Sequence, residues 1–426
     1  MIETIKNAWK IPDLRRKLLF VVFALVIFRF GYAIYVPYVD TEALADVFKQ
    51  YSDTLLGYFN TLSGGGFSQA SIFALSVYPY INSSIIMQLL QVAIPALERM
   101  VKDGGEEGRK KLASITRYVT IALSLLMGWT YYVMLRTSGV LTRTDLWSAI
   151  VIILTFTAGS SFIMWLGEQI NSKGVGNGIS LILFASIVSR GPSAVMSIIN
   201  GLKSGSMNVI SVIVILVVAV AMIAFIVFIT NAERRIPIQY AKRMVGRKMY
   251  GGQSTHLPMK VNMSGVMPVI FASSIVTFPG TIIQFLNPEE GSFWSNFGKA
   301  FSQGSLAYII VYALLIVGFA YFYATIQFNP IEVSNNLKRN GGFIPGFRPG
   351  KPTTDFIAKV LGKITLMGAL FLGIVAILPL IMSNIKGLGG LAIGGTSVLI
   401  LVGVALETVK QIEAQMLMRH YKGFLE

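Results

Sequence analysis

The 426-residue sequence contains no cysteine and has two histidines, His256 and His420. Without cysteine, the chain forms no disulfide bond and offers no thiolate as a nucleophile or metal ligand. Two histidines are too few for a histidine-rich metal site. The sequence therefore predicts no metal centre and no cofactor.

Charge is also scarce, because 13% of the residues are charged while 54% are hydrophobic. A soluble globular protein has about 25% charged residues, so this composition is typical of a protein that lies in lipid. The N-terminal stretch "MIETIKNAWKIPDLRRK" does not resemble a secretory signal peptide, since the apolar run after it is of full spanning length. Residues 1–17 are predicted to form a basic, amphipathic segment on the cytoplasmic membrane surface.

Long apolar runs dominate the rest of the chain. A membrane-spanning helix needs about 20 mostly apolar residues, so the sequence predicts an all-α membrane protein with ten spans. In chain order, spans 1 to 10 are predicted at residues 18–36, 76–96, 112–135, 147–168, 179–199, 207–230, 264–284, 306–326, 362–382 and 391–408.

The net charge of +16 is distributed unevenly between the two sides of the membrane. One set of loops holds 28 Lys and Arg residues and the opposite set holds 7. Cytoplasmic loops carry the excess of basic residues, so both termini are predicted to be cytoplasmic. Ten spans divide into halves of five, residues 18–200 and 201–426, and an odd number of spans makes the second half enter from the opposite side. If the halves are related in structure, they are inverted repeats.

Two predicted cytoplasmic loops, residues 231–263 and 327–361, are long and basic. Within the first, "RIPIQY" and "RKMYGG" are predicted to pair as a small hairpin. Long loops are often functional, and these favour docking of a large partner. The alternative is that their charge only reflects the cytoplasmic side of the membrane.

Motifs for covalent chemistry are incomplete. "RPGKPT" lacks the glycine and the serine or threonine that a phosphate-binding loop needs, and "GVGNG" is not a dinucleotide fingerprint. "AGSS" contains serines, but no histidine lies in any predicted span to act as their base. An intramembrane enzyme is therefore disfavoured, and the sequence predicts no catalytic residue.

Ionisable residues within the spans are few. Arg29 lies within span 1, and its role is open; Glu168 and Glu407 lie near span ends. Ion-coupled transporters place such groups at mid-membrane, which disfavours a secondary transporter with inverted repeats. Neutral polar residues in spans 2 and 7 either bond neighbouring helices or form a seam that meets water.

One segment differs from all others. "SGGGFSQASIFALSVYPY", residues 63–80, is apolar but begins with three glycines and is interrupted at Pro79, so it is too short to span a membrane. Its glycines permit sharp turns. Non-helical backbone at membrane depth must be buried in protein or line a watery cavity.

Five stretches, taken together, closely resemble the SecY family, the large subunit of the protein-conducting channel. In chain order they are "SIFALSVYPYINSSIIMQLLQ", "GNGISLILFASIV", "QSTHLPMKVNMSGVMPVIFASSIVTFPG", "NGGFIPGFRPGKPT" and "GGTSVLILVGVALET". The resemblance covers essentially the whole chain and implies two inverted five-helix halves around a central pore. It implies a channel that passes unfolded polypeptides across the membrane and releases membrane segments sideways into lipid, without covalent chemistry.

The resemblance also implies roles for particular residues. A plug formed by about residues 63–77 would include Gly64, Gly65, Gly66, Phe67, Ser71 and Ile72. An apolar pore ring would be formed by Ile81, Ile85, Leu183, Ile270 and Ile400. A lateral gate between spans 2 and 3 and spans 7 and 8 would include Asn82, Gln88, Gln91, Ser274, Thr277 and Phe278.

Partners follow from the same resemblance. The two basic loops would dock the SecA motor ATPase and the ribosome through Arg243, Arg247, Lys248, Arg348 and Lys351. Small SecE-type and SecG-type membrane subunits would complete the channel, and signal sequences and unfolded secretory or membrane proteins would be its substrates. The expected location is a bacterial plasma membrane.

Overall fold

A computed structural model describes residues 2–50, 60, 63–205, 208–240, 243–245, 248–250, 254–286, 292–301, 305–383 and 395–422. Most of these residues are helical. The helices are α1 Ile2–Lys10, α2 Pro12–Gly31, α3 Thr41–Gln50, α4 Tyr78–Ala93, α5 Pro95–Asp103, α6 Gly105–Thr137, α7 Leu146–Lys173, α8 Gly178–Val188, α9 Gly191–Lys203, α10 Val209–Asn231, α11 Met267–Leu286, α12 Phe293–Ala300, α13 Leu306–Gln327, α14 Pro330–Arg339, α15 Lys351–Ser383 and α16 Gly395–Lys422.

Helices occur at all ten predicted spans. Among the described residues, six helical stretches are long and apolar enough to cross a membrane, and they cover spans 3, 4, 5, 6, 8 and 9. The bent pair of α4 and α5 makes a seventh candidate, at span 2. Spans 1, 7 and 10 correspond to α2, α11 and α16. The all-helical membrane fold is therefore confirmed, while the predicted boundaries move by several residues.

Proline and glycine explain where the helices break. The chain bends by 96° between α4 and α5. Pro95 begins α5, and Ile94 before it is extended (ψ 107°), which is the conformation that a following proline favours. Span 5 is divided between α8 and α9, with Pro192 in the first turn of α9. Span 1 ends at Gly31 rather than residue 36, and residues 32–40 are not helical.

The chain divides into two compact units. Unit 1 comprises Met1–Met207, Pro279–Gln303 and Val404–Glu426, and unit 2 comprises Asn208–Phe278 and Gly304–Gly403. The main apolar core of unit 1 includes Val36, Leu44, Phe48, Ala70, Leu75, Tyr131, Leu135, Ile152 and Phe156. Side chains from residues 36–48 and 70–75 therefore pack on α6 and α7.

The N-terminal helix of unit 1 is held by contacts with other parts of the protein. Ala8 in α1 is fully buried and packs in a cluster with Leu14, Val175 and Ile412. Thr4 Oγ1 donates a hydrogen bond to the Glu413 carboxylate at 3.0 Å. Part of the predicted surface segment thus packs against the C-terminal part of α16.

Unit 2 contains a small sheet beside its helices. Strands β1 Glu233–Tyr240, β4 Ser254–Lys260 and β5 Gly342–Phe343 form an antiparallel sheet in the order β4-β1-β5. Its buried side chains, Ile236, Ile238 and Met259, pack in one cluster with Ala324 of α13, Leu337 of α14, Ile357 and Leu361 of α15, and Ile344, which follows β5.

The predicted hairpin is wrong in its pairing. "RIPIQY" pairs with β4, where Ile236 lies opposite Leu257, and not with "RKMYGG". Part of "RKMYGG" forms β3 Lys248–Tyr250, which pairs instead with β2 Arg243–Val245. In β1, buried residues alternate with exposed ones, so this strand requires a partner that extends the same apolar face. Strand β4 supplies the fully buried Met259 for that face.

Candidate functional site

Residues 63–77 form the non-helical segment that the sequence singled out, and it lies within unit 1. Its backbone turns repeatedly before α4 begins at Tyr78. Two of its glycines have positive φ angles, +67° at Gly64 and +92° at Gly65, which L side chains rarely adopt. Ala70, Ser71 and Ala74 are at most 1% exposed. The segment is therefore irregular backbone that is largely enclosed by protein.

The turn formed by Gly64, Gly65 and Gly66, here called the glycine turn, packs closely against neighbouring residues. A Cβ atom on Gly66 would lie 2.3 Å from the Tyr32 ring, so a larger residue would require a rearrangement. The backbone N–H of Phe67 donates to Ser63 Oγ at 3.1 Å, and that of Ser68 donates to Asn60 Oδ1 at 3.0 Å. The Ser63 and Asn60 side chains thus accept hydrogen bonds from backbone N–H groups that would bond to backbone carbonyls in a regular helix.

The middle of the segment pairs with the chain that follows α2. The backbone N–H of Val36 donates to the carbonyl of Ala70 at 2.9 Å, and that of Ile72 donates to the carbonyl of Ile34 at 3.0 Å. Together they form an antiparallel bridge between Tyr35 and Ser71. The segment is thus held along its backbone by residues 34–36.

Two aromatic residues anchor the ends of the segment. Phe67 stacks on Tyr131 of α6 with ring centroids 4.1 Å apart, and the Phe48 ring of α3 meets its edge at 5.6 Å. Phe73 lies parallel to Phe28 at 6.2 Å and to Phe162 at 5.8 Å. Phe67 and Phe73 therefore fix the segment to α2, α3, α6 and α7.

Helices α6 and α7 also bond to the backbone of the segment. The Tyr131 hydroxyl donates to the carbonyl of Phe67. Ser160 Oγ donates to the carbonyl of Ser76 at 3.3 Å. Neither Tyr131 nor Ser160 was predicted as a site residue, although Ser160 lies in the "AGSS" stretch, because their role depends on which distant residue they meet.

Arg29, whose role the sequence left open, lies near the glycine turn. Its Nη1 donates to Ser189 Oγ at 3.4 Å, and its guanidinium lies 5.4 Å from the centre of the Tyr32 ring. Ser189 Oγ would be 3.1 Å from a Cβ atom on Gly64. Arg29 therefore has polar and aromatic partners at the edge of the segment rather than an unpaired position in lipid.

A cavity of about 20 Å³ lies beside the segment, which is room for roughly one water molecule. Leu183 of α8, a predicted ring residue, lines it together with Phe67, Leu75, Ser76 and Val77. Ser76 is 4% exposed, so its hydroxyl lies at this cavity and away from bulk water.

The five predicted ring residues are distributed over both units. Ile81 and Ile85 lie in α4 and Leu183 in α8, all within unit 1, and each is at most 7% exposed. In unit 2, Ile400 of α16 is buried and Ile270 of α11 is partly buried. Ile81 and Ile85 are one helical turn apart, so they share one face of α4.

Two of the predicted gate residues, Gln88 and Ser274, form hydrogen bonds within their own helices. Asn82, Gln88 and Gln91 are partly buried in α4, and Gln88 Nε2 donates to Ser84 Oγ within the same helix at 3.0 Å. Ser274 Oγ donates to the carbonyl of Ile270 at 2.9 Å, also within its helix. A bond between helices is made by Ser83, whose Oγ donates to the Thr116 carbonyl of α6 at 2.7 Å. The side chains of Thr277 and Phe278 lie outside the described residues.

Of the predicted docking residues, Arg348 and Lys351 are the two whose side chains lie among the described residues. Both are exposed in unit 2, where Lys351 begins α15. The turn that carries Arg348 is fixed, because its carbonyl accepts from Thr353 Oγ1 at 2.8 Å and the rings of Phe347 and Phe356 lie 4.2 Å apart. Arg243 and Lys248 lie in β2 and β3, but their side chains, like the whole of Arg247, lie outside the described residues.

The two basic loops are part of one sheet. Strand β5, from the second loop, pairs with the end of β1, from the first, through Gln239 opposite Phe343 and Tyr240 opposite Gly342. The two basic loops are therefore joined directly by backbone pairing between β1 and β5.

The chain is similar throughout its length to known proteins. A family model described as SecY matches residues 71–409. The protein translocase subunit SecY of Thermotoga maritima is 42% identical over 100% of this chain and 98% of its own length. The subunits of the same name from Streptomyces griseus and Halalkalibacterium halodurans are each 44% identical, over 100% of both chains.

Solved structures share the fold at lower sequence identity. A protein-conducting channel superposes with a TM-score of 0.67 at 19% identity, covering 94% of this chain and 92% of that one. A SecY whose plug domain is described as stabilising the closed state of the channel gives 0.68 at 19%, with the same coverage. Canine Sec61 in a ribosome–channel complex gives 0.62 at 17%, covering 94% and 92%.

Proposed function

Because this chain belongs to the SecY family, we propose that it forms the membrane channel through which unfolded secretory polypeptides cross, and from which transmembrane segments pass sideways into lipid. It is an integral membrane protein of helical fold. The proposed activity is conduction of a polypeptide and requires no covalent chemistry by this chain.

The observation that carries the proposal is the segment 63–77. Irregular backbone inside a membrane protein is tolerated where protein surrounds it or where it lines a cavity. Here it is enclosed by α2, α6 and α7 and touches a cavity lined by Leu183. This is the arrangement expected of a plug that closes a pore at rest, with Gly64, Gly65 and Gly66 at its turn, and Phe67, Ser71 and Ile72 in its body.

We assign the pore constriction to Ile81, Ile85, Leu183, Ile270 and Ile400. An apolar ring excludes ions because water does not wet a narrow apolar passage, yet its side chains can separate around a passing polypeptide. Four isoleucines and a leucine would close such a ring without fixing the sequence of the polypeptide that passes.

We assign the lateral gate to Asn82, Gln88, Gln91, Ser274, Thr277 and Phe278. Partly buried polar side chains on α4 support this assignment, because a seam of neutral polar groups is weaker than a packed apolar one. A weaker seam brings the closed and open states closer in free energy, so that a signal sequence can shift the balance.

Partners must supply the driving force. We propose that Arg243, Arg247, Lys248, Arg348 and Lys351 dock the SecA ATPase and the ribosome, and that SecE-type and SecG-type subunits complete the channel. The exposed Arg348 on a fixed turn supports this role. Similar structures include canine Sec61 in a ribosome–channel complex and yeast Ssh1 bound to the 80S ribosome. Cationic loops would bind ribosomal phosphates with strong salt dependence.

We propose a plasma-membrane location in a bacterium, with both termini cytoplasmic. The excess of basic residues in one set of loops supports this orientation. The proposed division is a surface segment at residues 1–17, followed by the inverted halves 18–200 and 201–426.

The test is polypeptide transport in vesicles. The chain would be reconstituted with SecE-type and SecG-type subunits, then supplied with SecA, ATP and an unfolded secretory precursor. We expect the precursor to become protected from added protease, and to stay accessible when ATP or SecA is omitted. Absence of protection in vesicles that contain correctly folded, complete complex would contradict the proposal.

A further inference from the structure

The assignment of residues 63–77 as a plug raises the question of what holds that plug at rest. We propose that Tyr131 and Ser160 are positioning residues that hold the closed plug by its backbone, one near each end. This inference rests on the proposed function, because it gives these contacts a role in channel closure. It concerns residues outside the plug, the pore ring and the gate.

Tyr131 makes two different contacts with the first part of the plug. Its hydroxyl donates to the main-chain carbonyl of Phe67, and its ring stacks on the Phe67 ring at 4.1 Å with 23° between the planes. The residue is 2% exposed, so neither contact competes freely with water. The Phe48 ring packs edge-to-face with Phe67 at 5.6 Å and adds a second aromatic contact to that residue.

Ser160 acts at the other end. Its hydroxyl donates to the main-chain carbonyl of Ser76, two residues before α4 begins, at 3.3 Å. The preceding residue, Gly159, allows the plug backbone to approach α7, because a Cβ atom there would lie 1.9 Å from the carbonyl oxygen of Ile72. Helix α7 therefore meets this part of the plug with a glycine and with the hydroxyl of Ser160.

The Tyr131 and Ser160 hydroxyls both donate to main-chain carbonyl oxygens. Any residue at positions 67 and 76 would have such an oxygen, whatever its side chain. The hold on the plug is thus largely a property of α6 and α7. When the plug leaves, the Phe67 and Ser76 carbonyls lose these donors and must find water in an open pore. Closure is therefore favoured by hydrogen bonds that exist in the closed state and not in the open one.

A purely structural role for Tyr131 makes a different prediction. If the residue only filled the core of unit 1, removing its hydroxyl would weaken the protein in the closed and open states alike. If it holds the plug, the same change would alter the resting state and leave the open state unaffected. A reporter that reads plug position in each state separates the two.

The chain contains no cysteine, so a single introduced cysteine would be the chain's one site for thiol labelling and would report plug position. Ala74 lies in the plug and is 1% exposed, so a single Ala74→Cys residue would be shielded while the plug is seated. In nanodiscs holding the complete complex, a water-soluble maleimide reaches both faces of the membrane. Its rate of reaction with residue 74 then reports the fraction of time for which the plug is displaced.

The key comparison is Tyr131→Phe against Tyr132→Phe, each in the Ala74→Cys background. Tyr131→Phe keeps the ring stacking and removes the donor. Tyr132 is the neighbouring buried tyrosine of the same helix, whereas the hydrogen bond to the Phe67 carbonyl comes from Tyr131. We expect Tyr131→Phe to raise the resting labelling rate by about 2- to 12-fold, the ratio that corresponds to one net hydrogen bond.

Two further variants extend the comparison. Ser160→Ala should raise the resting rate by about twofold, because its bond is long. Tyr131→Leu should exceed Tyr131→Phe, since it also removes the stacking. Tyr132→Phe should label at the rate of the parent chain.

The open state supplies the second measurement. A precursor arrested in the channel should raise the labelling rate of the parent chain. With the precursor present, the parent chain and the Tyr131→Phe variant should be labelled at the same rate. Equal resting rates for Tyr131→Phe and the parent would overturn the inference, and so would an increase of equal factor with and without the precursor. If the parent chain transports no precursor at all, the proposed function fails instead, and the resting labelling rates still show whether Tyr131 holds the segment.

Discussion

Gly159 of α7 lies directly against the main-chain carbonyl of Ile72. A Cβ atom at residue 159 would be 1.9 Å from that oxygen and 2.8 Å from its carbon. Contacts below 3.0 Å essentially never occur for real Cβ atoms, and here the neighbour is backbone, which cannot rotate away as a flexible side chain would. The position of residues 63–77 on α7 therefore depends on the absence of one methyl group.

The substitution Gly159→Ala tests this dependence. We expect it to displace the plug from α7 and to lower the apparent melting temperature of the protein in detergent, because overpacking costs about 1–3 kcal/mol. The matched control is Gly318→Ala in α13, where nothing lies within 4 Å of the added atom. The control should be neutral or stabilising, since alanine favours helix more than glycine does. Equal melting temperatures for the two variants would contradict the expectation.

The pore ring can be tested by comparing neighbouring residues of one helix. Ile85 is 4% exposed, whereas Ile86 beside it is 38% exposed on a different face of α4. Ile85→Asn should raise the resting ion conductance of the channel in planar bilayers, because a polar side chain lets water enter an apolar constriction. Ile86→Asn should leave the conductance near that of the parent. A conductance increase in the second variant alone would place the constriction elsewhere.

Docking of the motor can be tested at Arg348. Arg348→Glu should reduce SecA-driven protection of a precursor while leaving assembly with the small subunits intact, because it replaces an exposed cation with an anion on a fixed turn. Arg136→Glu is the control, since Arg136 is also exposed but lies in a predicted outer loop. Export assays at several salt concentrations would show whether the loss is electrostatic. Normal export by the Arg348→Glu variant would remove this residue from the docking surface.

The ion pair between Arg117 of α6 and Glu168 of α7 offers a test of helix packing. Arg117 Nε lies 2.7 Å from Glu168 Oε1, with side chains 48% and 25% exposed. A double-mutant cycle with Arg117→Gln and Glu168→Gln should give a coupling energy of about 0.2–1 kcal/mol, because partly exposed pairs are screened. The measurement is thermal unfolding of the four proteins in one detergent. A coupling energy of zero would mean that the pair forms without stabilising the helix contact.

Hydropathy located the helices well, because a segment that crosses lipid must be apolar over a long run and must form its backbone hydrogen bonds within the protein. It placed their ends poorly, since caps and prolines decide where a helix stops. The bend of 96° at Ile94 follows from Pro95, and the break between α8 and α9 is followed directly by Gly191 and Pro192. In the loop at residues 231–263, the turn chemistry suggested a local hairpin, but burial of Ile236 and Ile238 decided in favour of pairing with β4.

The special character of residues 63–77 could be inferred from their glycines and their length, and their role in a channel from resemblance. The residues that hold them could not. Tyr131 lies 64 positions from Phe67, and Ser160 lies 84 positions from Ser76. Both occur in apolar helices where a tyrosine or serine is unremarkable. Such contacts depend on how α6 and α7 pack, which composition and periodicity do not encode locally.

The pairing of β5 with β1 has a mechanical consequence. Strand β1 begins two residues after α10 ends, β5 lies three residues after α14, and α15 begins at Lys351 beside the turn of Arg348. A force applied to β1 or β5 would therefore pass through backbone hydrogen bonds to the chain that follows α10 and to the chain that follows α14. We expect the sheet to resist separation of these helix ends when a force is applied to it.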